Sequence, residues 1–368
     1  MTDGAARAAS SPRIVAIETA VPPTVLPQQA ARDVFARQPG LSRLAVRLID
    51  TAFDSSGIER RHTVVDARAT GAESALVGAD GTIRPASTGT RNALYAEHAA
   101  PLALEAAGRA LAACGIRADE VTHVVTASCT GFVSPGPDLA LVTGLGLAPG
   151  TPRLHVGFMG CSAAFPALRA ADAVCRLDPE TVVLVVCVEL CTLHLAASDE
   201  PEQIVAMSLF ADGAAAAVVT GREARGPSLA LDGFLTGLLP DSIDEMRWTI
   251  GDAGFVMHLS SRVPAHIGRG IRSSLEPLLP EGPAAVDAWA VHPGGRSIVD
   301  NVQEALALPD DAMAPSRGVL ARYGNMSSPT VLFVLRELLA ERTGGTVCAM
   351  AFGPGLTLEA ARMRVVAP

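Results

Sequence analysis

The chain reads as a layered α/β protein. Short runs rich in β-branched residues, Val121 to Ser128 and Thr181 to Glu189, have the character of strands buried on both faces. Between and around them lie helical patterns, above all Leu94 to Ala113, whose alanine-rich faces suit tight packing. Strands that alternate with helices imply helices layered on a sheet.

The elements follow in order. Arg13 to Val21 is an opening strand, and Leu41 to Ala52 has the apolar spacing of an amphipathic helix. Asp66 to Ser87 is rich in Gly, Ala and Asp without periodicity and is expected to be an irregular surface segment. After the helix at 94–113 and the strand at 121–128, a short apolar strand, His155 to Gly157, breaks at glycine and enters the helix-forming run Ala163-Ala164-Phe165. Val286 to Val291 is a further strand, ending in His292-Pro293-Gly294-Gly295. The turn Arg322 to Pro329 opens the amphipathic run Val331 to Leu339. A strand followed by a loop recurs at Val121 to Gly131 and Val286 to Gly295. A second echo pairs Val182 to Gly213 with Thr346 to Gly355, so the chain is expected to contain two similar halves, divided near Arg222 to Pro227.

With 368 residues, 49% hydrophobic and 18% charged, the composition is that of a globular chain with ample core. A formal charge of -9 and the lack of an arginine stripe argue against a nucleic-acid partner. Every basic residue is arginine. Without lysine, Schiff-base chemistry and lysine-anchored pyridoxal phosphate are excluded, and a phosphate group must be met by arginine or backbone amides. The seven cysteines are odd in number and sit mostly in apolar runs, as expected of a reduced, cytoplasmic protein. Cys187 and Cys191 are closely spaced, but nothing completes a zinc site, so no metal is expected. Residues 1–12 are polar and alanine-rich, expected as a disordered tail rather than a signal peptide, and no apolar run is long enough to span a membrane.

Three positions suggest chemistry. Cys161, at the first turn of a helix, lies in the positive end of the helix dipole, where a depressed pKa is expected; the alternative is a small buried hydrophobe. His292 sits where a strand end meets tight turns, a common place for ligand contact. Asn325 is either a turn residue and helix cap or a functional amide. Together they form a candidate nucleophile with two polar partners, each at the mouth of an element.

These segments resemble the chalcone-synthase-like type III polyketide synthases of the thiolase superfamily, and the resemblance spans nearly the whole chain. It is carried also by Leu209-Phe210-Ala211-Asp212-Gly213, by Ser134-Pro135-Gly136-Pro137-Asp138 and by Ala351-Phe352-Gly353-Pro354-Gly355-Leu356. His292-Pro293-Gly294-Gly295 is the polyketide synthase form of a motif that differs in ketoacyl synthase III. The resemblance implies a duplicated five-layer α/β/α/β/α thiolase-like fold, with residues 13–225 carrying the nucleophile and 226–368 carrying the histidine and asparagine.

It also implies an acyltransferase. An acyl-CoA starter is loaded on Cys161, malonyl-CoA is decarboxylated and condensed with it, and the product is cyclised. No cofactor is implied beyond the coenzyme A thioesters that are the substrates. His292 would stand beside Cys161 as an ion pair and, with Asn325, form an oxyanion site. Phe210 matches a gatekeeping aromatic, although Ala211 stands where glycine is usual. Cys129 falls where plant enzymes have threonine, either lining the cavity or simply buried. The run Val188 to His194 resembles bacterial enzymes making alkylpyrones or alkylresorcinols from fatty acyl starters. On that basis Cys191, His194, Gly254 and Ser327, with Gly294 and Gly295, are expected lining residues. Thr51 and Ser55 replace two basic residues that bind coenzyme A phosphate in plant members, leaving Arg43, Arg47, Arg60 and Arg61 as nearby substitutes or solvated surface residues. Ser134 stands where plant enzymes carry a methionine that reaches into the partner's cavity, within an expected homodimer. Alternatives are a single-condensation ketoacyl synthase III-like acyltransferase and a non-catalytic acyl-CoA-binding scaffold.

Overall fold

The computed structural model describes residues 11–65 and 74–367. The expected tail therefore falls largely outside the described residues, as does 66–73 of the expected irregular segment. At the centre is one nine-stranded sheet, in which Arg13–Ala20 and Ser228–Leu238 are neighbours. Moving one way from that junction come Asp212–Thr220, Val182–Leu190 and His123–Ser128, paired antiparallel, antiparallel and parallel. Moving the other way come Thr357–Val366, Gly345–Gly353 and Ala288–Val291, with the same three senses. The two echoes in the sequence are this repeat. Arg153–Gly157 adds a parallel edge strand on the first side.

The layering follows from residue alternation. Val183, Val185 and Cys187 face a central layer that includes Ala164–Leu177 and Thr330–Glu341; Val347, Ala349 and Ala351 face the same layer from the other half. Their neighbours Val182, Leu184, Val186 and Val188 point outward onto the helix Thr88–Cys114. In the other half, Cys348, Met350 and Phe352 point outward onto Val263–Leu275 and Arg296–Leu306. Both faces of each half-sheet are covered, which is why the strands read as continuous apolar runs rather than alternating ones. The five layers are helix, sheet, helix, sheet, helix, as the resemblance implies.

Helix limits are set by capping. Ser42 accepts a hydrogen bond from the Ala45 amide at the start of Arg43–Ser55, and Ser87 accepts from Thr90 at the start of Thr88–Cys114. Gly115, at φ 67°, closes the second. A two-stranded hairpin, Met246–Gly251 with Gly254–Leu259, lies outside the central sheet. It was not expected from the sequence, and it forms a wall of the site.

Candidate active site

Cys161 reaches the site through a tight connection. The strand Arg153–Gly157 ends at Phe158 and Gly160, both at positive φ, and the 3-10 turn Gly160–Ser162 leads into the helix Ala164–Leu177. At Gly160, φ is 59° and an added Cβ would lie 2.8 Å from Pro354 Cδ, so only glycine suits the position. His292 directly follows Ala288–Val291, and its amide donates to the Met350 carbonyl at 2.8 Å. Asn325 follows the helix Ala314–Tyr323, which Gly324 closes at φ 71°. Its backbone is stitched to the Phe210 segment: the Asn325 amide donates to Leu209 O, and the Ala211 amide donates to Asn325 O, both at 2.9 Å.

These three side chains wall one cavity of about 800 Å³ that also meets Phe210, Gly294 and Gly295 and has Glu200, Glu202 and His258 along it. A second, tighter cavity, about 80 Å³, is walled by Cys129, Cys161, Cys191, His194, Phe210 and Ser327, together with Trp248, Phe255 and Met257. Cys161 and Phe210 border both, so the phenylalanine stands where a gate between them would be. The polar surface of the second cavity is small, and four of its apolar members, Met246, Trp248, Phe255 and Met257, come from the hairpin. Among the expected lining residues Gly254 is the exception. It walls neither cavity; its would-be Cβ faces the Arg91 side chain at 2.9 Å, and the next residue, Phe255, faces inward instead.

The amide of Asn325 is oriented by its neighbours. Its Oδ1 accepts from the Ser327 amide at 2.8 Å, and Nδ2 donates one proton to Gly294 O at 3.1 Å. The second Nδ2 proton is left for a ligand. The Cys161 thiol lies 3.8 Å from Oδ1, as its donor. His292 is 1% exposed, and neither ring nitrogen has a partner among the described residues.

Burial corrects the expected electrostatics. It pushes the Cys161 thiol up to about 11, against side-chain contacts with Ser327 and Asn325 that act the other way, and pulls His292 down to about 3. In both groups removal from water favours the neutral form and opposes the pull of the helix end expected at Cys161. His194 is fixed as a neutral tautomer: Nε2 donates to Thr130 O at 2.7 Å, Nδ1 accepts from the Phe255 amide at 3.2 Å, and burial lowers its pKa to about 4. It welds the hairpin to the cavity and stacks on Phe255 with centroids 4.0 Å apart.

One group escaped the sequence reading and another was given a different role by it. Glu189, 0% exposed, accepts from the Cys129 amide at 3.0 Å and from the Thr130 and Ser328 hydroxyls at 2.8 and 2.6 Å. Burial raises its pKa while these donors oppose that. A carboxylate inside an otherwise apolar buried strand was the signal, since such a charge must be met by donors. Arg61, offered by the sequence as a phosphate ligand, is 3% exposed and turns inward, whereas Arg43, Arg47 and Arg60 are exposed.

Comparison with known proteins agrees with this geometry. Residues 2–223 match the family model for chalcone and stilbene synthases, N-terminal domain, and residues 232–367 match the corresponding C-terminal domain. The alpha-pyrone synthesis polyketide synthase-like Pks18 of Mycobacterium tuberculosis is 36% identical over 287 residues, covering 75% of this chain and 73% of that protein. Bisdemethoxycurcumin synthase of Oryza sativa subsp. japonica is 32% identical, covering 94% and 90%. Among solved structures, PKS-I from the brown alga Ectocarpus siliculosus superposes with a TM-score of 0.92 at 30% identity, over 98% of this chain and all of that one. The 1,3,6,8-tetrahydroxynaphthalene synthase of Streptomyces coelicolor A3(2) gives 0.85 at 27% identity, over 97% of this chain and all of that one. The chain belongs to the chalcone and stilbene synthase family, and is an acyltransferase of the type III polyketide synthase class.

Proposed function

We propose that the enzyme loads an aliphatic acyl group from coenzyme A onto Cys161, extends it with malonyl-CoA and releases a cyclised pyrone or phenolic product, without a cofactor. The carrying observation is the convergence of Cys161, His292 and Asn325 on one cavity, with an unused amide proton and an unpartnered imidazole. Because burial favours the neutral thiol and the neutral imidazole, deprotonation is assigned to the attack itself. The sulfur bonds to the thioester carbon as its proton passes to His292, and the departing coenzyme A thiolate takes that proton back. In the next step malonyl-CoA loses carbon dioxide, and the electron pair of the broken bond becomes an enolate whose oxygen is met by His292 and the free Asn325 proton. The enolate carbon then attacks the Cys161 thioester and the sulfur leaves.

The nearly apolar cavity beyond Phe210 supports an alkyl starter, and the similarity to a protein named for alpha-pyrone synthesis supports ring closure to a pyrone. In this reading residues 13–225 supply the nucleophile and 226–368 the two partners. The enzyme works as a homodimer. Among the described residues the edge strand Arg153–Gly157 has no partner on its outer side, and Leu154 (49%), Phe158 (46%), Phe132 (39%) and Val133 (38%) are exposed apolar residues near Ser134 suited to a second copy. Light scattering that finds only monomer removes that part. Seven free cysteines support a reducing, cytoplasmic setting. Among the described residues no helix is long and apolar enough to cross a membrane.

Purified enzyme incubated with acyl-CoA and labelled malonyl-CoA, with products identified by mass, tests the reading. Cyclic products with two or more extensions support it; a single extension without a ring supports a ketoacyl synthase activity instead. Cys161→Ala abolishes acylation seen by intact mass, and continued product formation in that variant contradicts the nucleophile.

A further inference from the structure

The helix Pro201–Leu209 ends at Phe210, where its last carbonyls have no partners within the helix. Five consecutive ones are nevertheless occupied. Ala206 O accepts from the Phe210 amide and Leu209 O from the Asn325 amide. Ser208 O accepts from buried Gln28 Nε2 at 2.7 Å, and Met207 O and Phe210 O both accept from Arg61 Nη1, at 2.7 and 2.8 Å. The Arg61 stem also packs against the turn before Asn325, since a Cβ at Gly324 would lie 2.9 Å from Arg61 Cγ. The guanidinium lies over the Phe53 ring at 5.5 Å, while its Nε and Nη2 have no partner among the described residues.

We propose that Arg61 is a positioning residue for malonyl extension, holding the backbone of Phe210 and the approach to Asn325 in a single geometry. A buried arginine with two unused donors is an expensive way to brace a helix end, and a neutral residue would suffice for stability alone. Burial lowers its pKa to about 10, with Asp212 opposing, so it stays charged at neutral pH, where a cation complements the negative end of the helix. Arg61 also borders the cavity proposed for the alkyl chain, but Cys161 belongs to a different segment, entered from the edge strand, so attack on the starter thioester does not use this bracing of Phe210 and Asn325, whereas decarboxylation and condensation do.

The inference rests on the polyketide synthase reading. Wild-type enzyme that neither loads nor extends overturns that reading; the following comparison concerns Arg61 alone. The readout is the rate of malonyl extension relative to that of Cys161 acylation by the starter, in variants whose fold is checked by circular dichroism. Arg61→Gln is expected to lower this ratio about a hundredfold, as small displacements of catalytic groups do, acting on kcat more than on KM for malonyl-CoA. Arg61→Lys, keeping charge and one donor group, is expected to recover part of it, remaining about tenfold low. An unchanged ratio, or equal loss of loading and extension in folded Arg61→Gln, overturns the proposal. Where Arg61→Gln does not fold, Arg61→Lys decides: a ratio equal to wild type overturns the proposal and a lowered one supports it.

Discussion

Replacing Asn325 by aspartate changes one atom group and keeps the shape. In the native site Oδ1 holds the Ser327 amide proton, and Nδ2 divides its two protons between Gly294 O and the substrate. In Asn325→Asp, the oxygen that takes the place of Nδ2 faces Gly294 O without a proton between them, and repels an enolate. Acidification does not repair this. A protonated carboxyl has a single O–H, which Gly294 O takes, so nothing is left for the enolate oxygen at any pH. Loss of one such donor raises the barrier by about 2.7–4 kcal/mol, a hundred- to a thousandfold in rate. The assay is release of labelled carbon dioxide from malonyl-CoA between pH 5 and 9, with acylation of Cys161 followed by intact mass as the control. Loading is expected to persist. Decarboxylation within tenfold of wild type, or its recovery in acid, refutes the idea that Nδ2 is the enolate's donor.

Glu189→Leu strands the Cys129 amide and the Thr130 and Ser328 hydroxyls and is expected to cost about 3–5 kcal/mol in urea unfolding, while Glu189→Gln keeps an acceptor and costs much less; equal losses contradict the network. His194, lowered to about 4, refuses a proton that the unfolded chain accepts between about pH 4 and 6.5, so its contribution, about 3 kcal/mol in full, is lost as pH falls through that window. Asp212, raised to about 6, acts oppositely, because the folded protein keeps a proton the unfolded chain has released, and its contribution falls as pH rises from about 4 to 6. The two contributions largely cancel in wild type between about pH 5 and 6.5, so His194→Gln is expected to leave the Asp212 contribution uncompensated, with unfolding free energy falling as pH rises through that range, and a slope identical to wild type counts against a neutral buried His194. Gly131→Ala places a Cβ 2.1 Å from the Tyr95 ring, which is 1% exposed and donates to Ser128 Oγ at 2.7 Å, so a lowered melting temperature is expected; an unchanged one means the ring can retreat.

Much of the architecture was legible because strands covered on both faces leave a distinctive residue choice. Val182–Leu190 and Ala288–Val291 were visible as apolar runs, and the turn after the second as a Pro-Gly-Gly cluster. The hairpin at 246–259 was not. Its two strands are short and half exposed, with Ile250 and Val256 facing outward, so neither alternation nor a continuous apolar run marks it. Gly254, offered as a lining residue by the resemblance, lies on that hairpin one residue from Phe255, which lines the cavity instead. The three reactive positions were recognisable because each ends an element. Their ionisation was not, since position at a helix end can be read from order along the chain whereas depth from solvent depends on layers brought together by folding. Arg61 shows the same limit: beside Arg60 it reads as surface charge, and only tertiary contact turns one of the pair inward.

The two half-sheets touch through a short seam, Arg13 opposite Ala230 and Ile14 opposite Leu229, yet they share the helices between them. Neither half can then be cut out and kept in water, because excision would bare a whole apolar face. Since the sulfur comes from one half and the imidazole and carboxamide from the other, two separately expressed fragments would regain catalysis only on reassembly, which makes turnover itself a reporter of their docking.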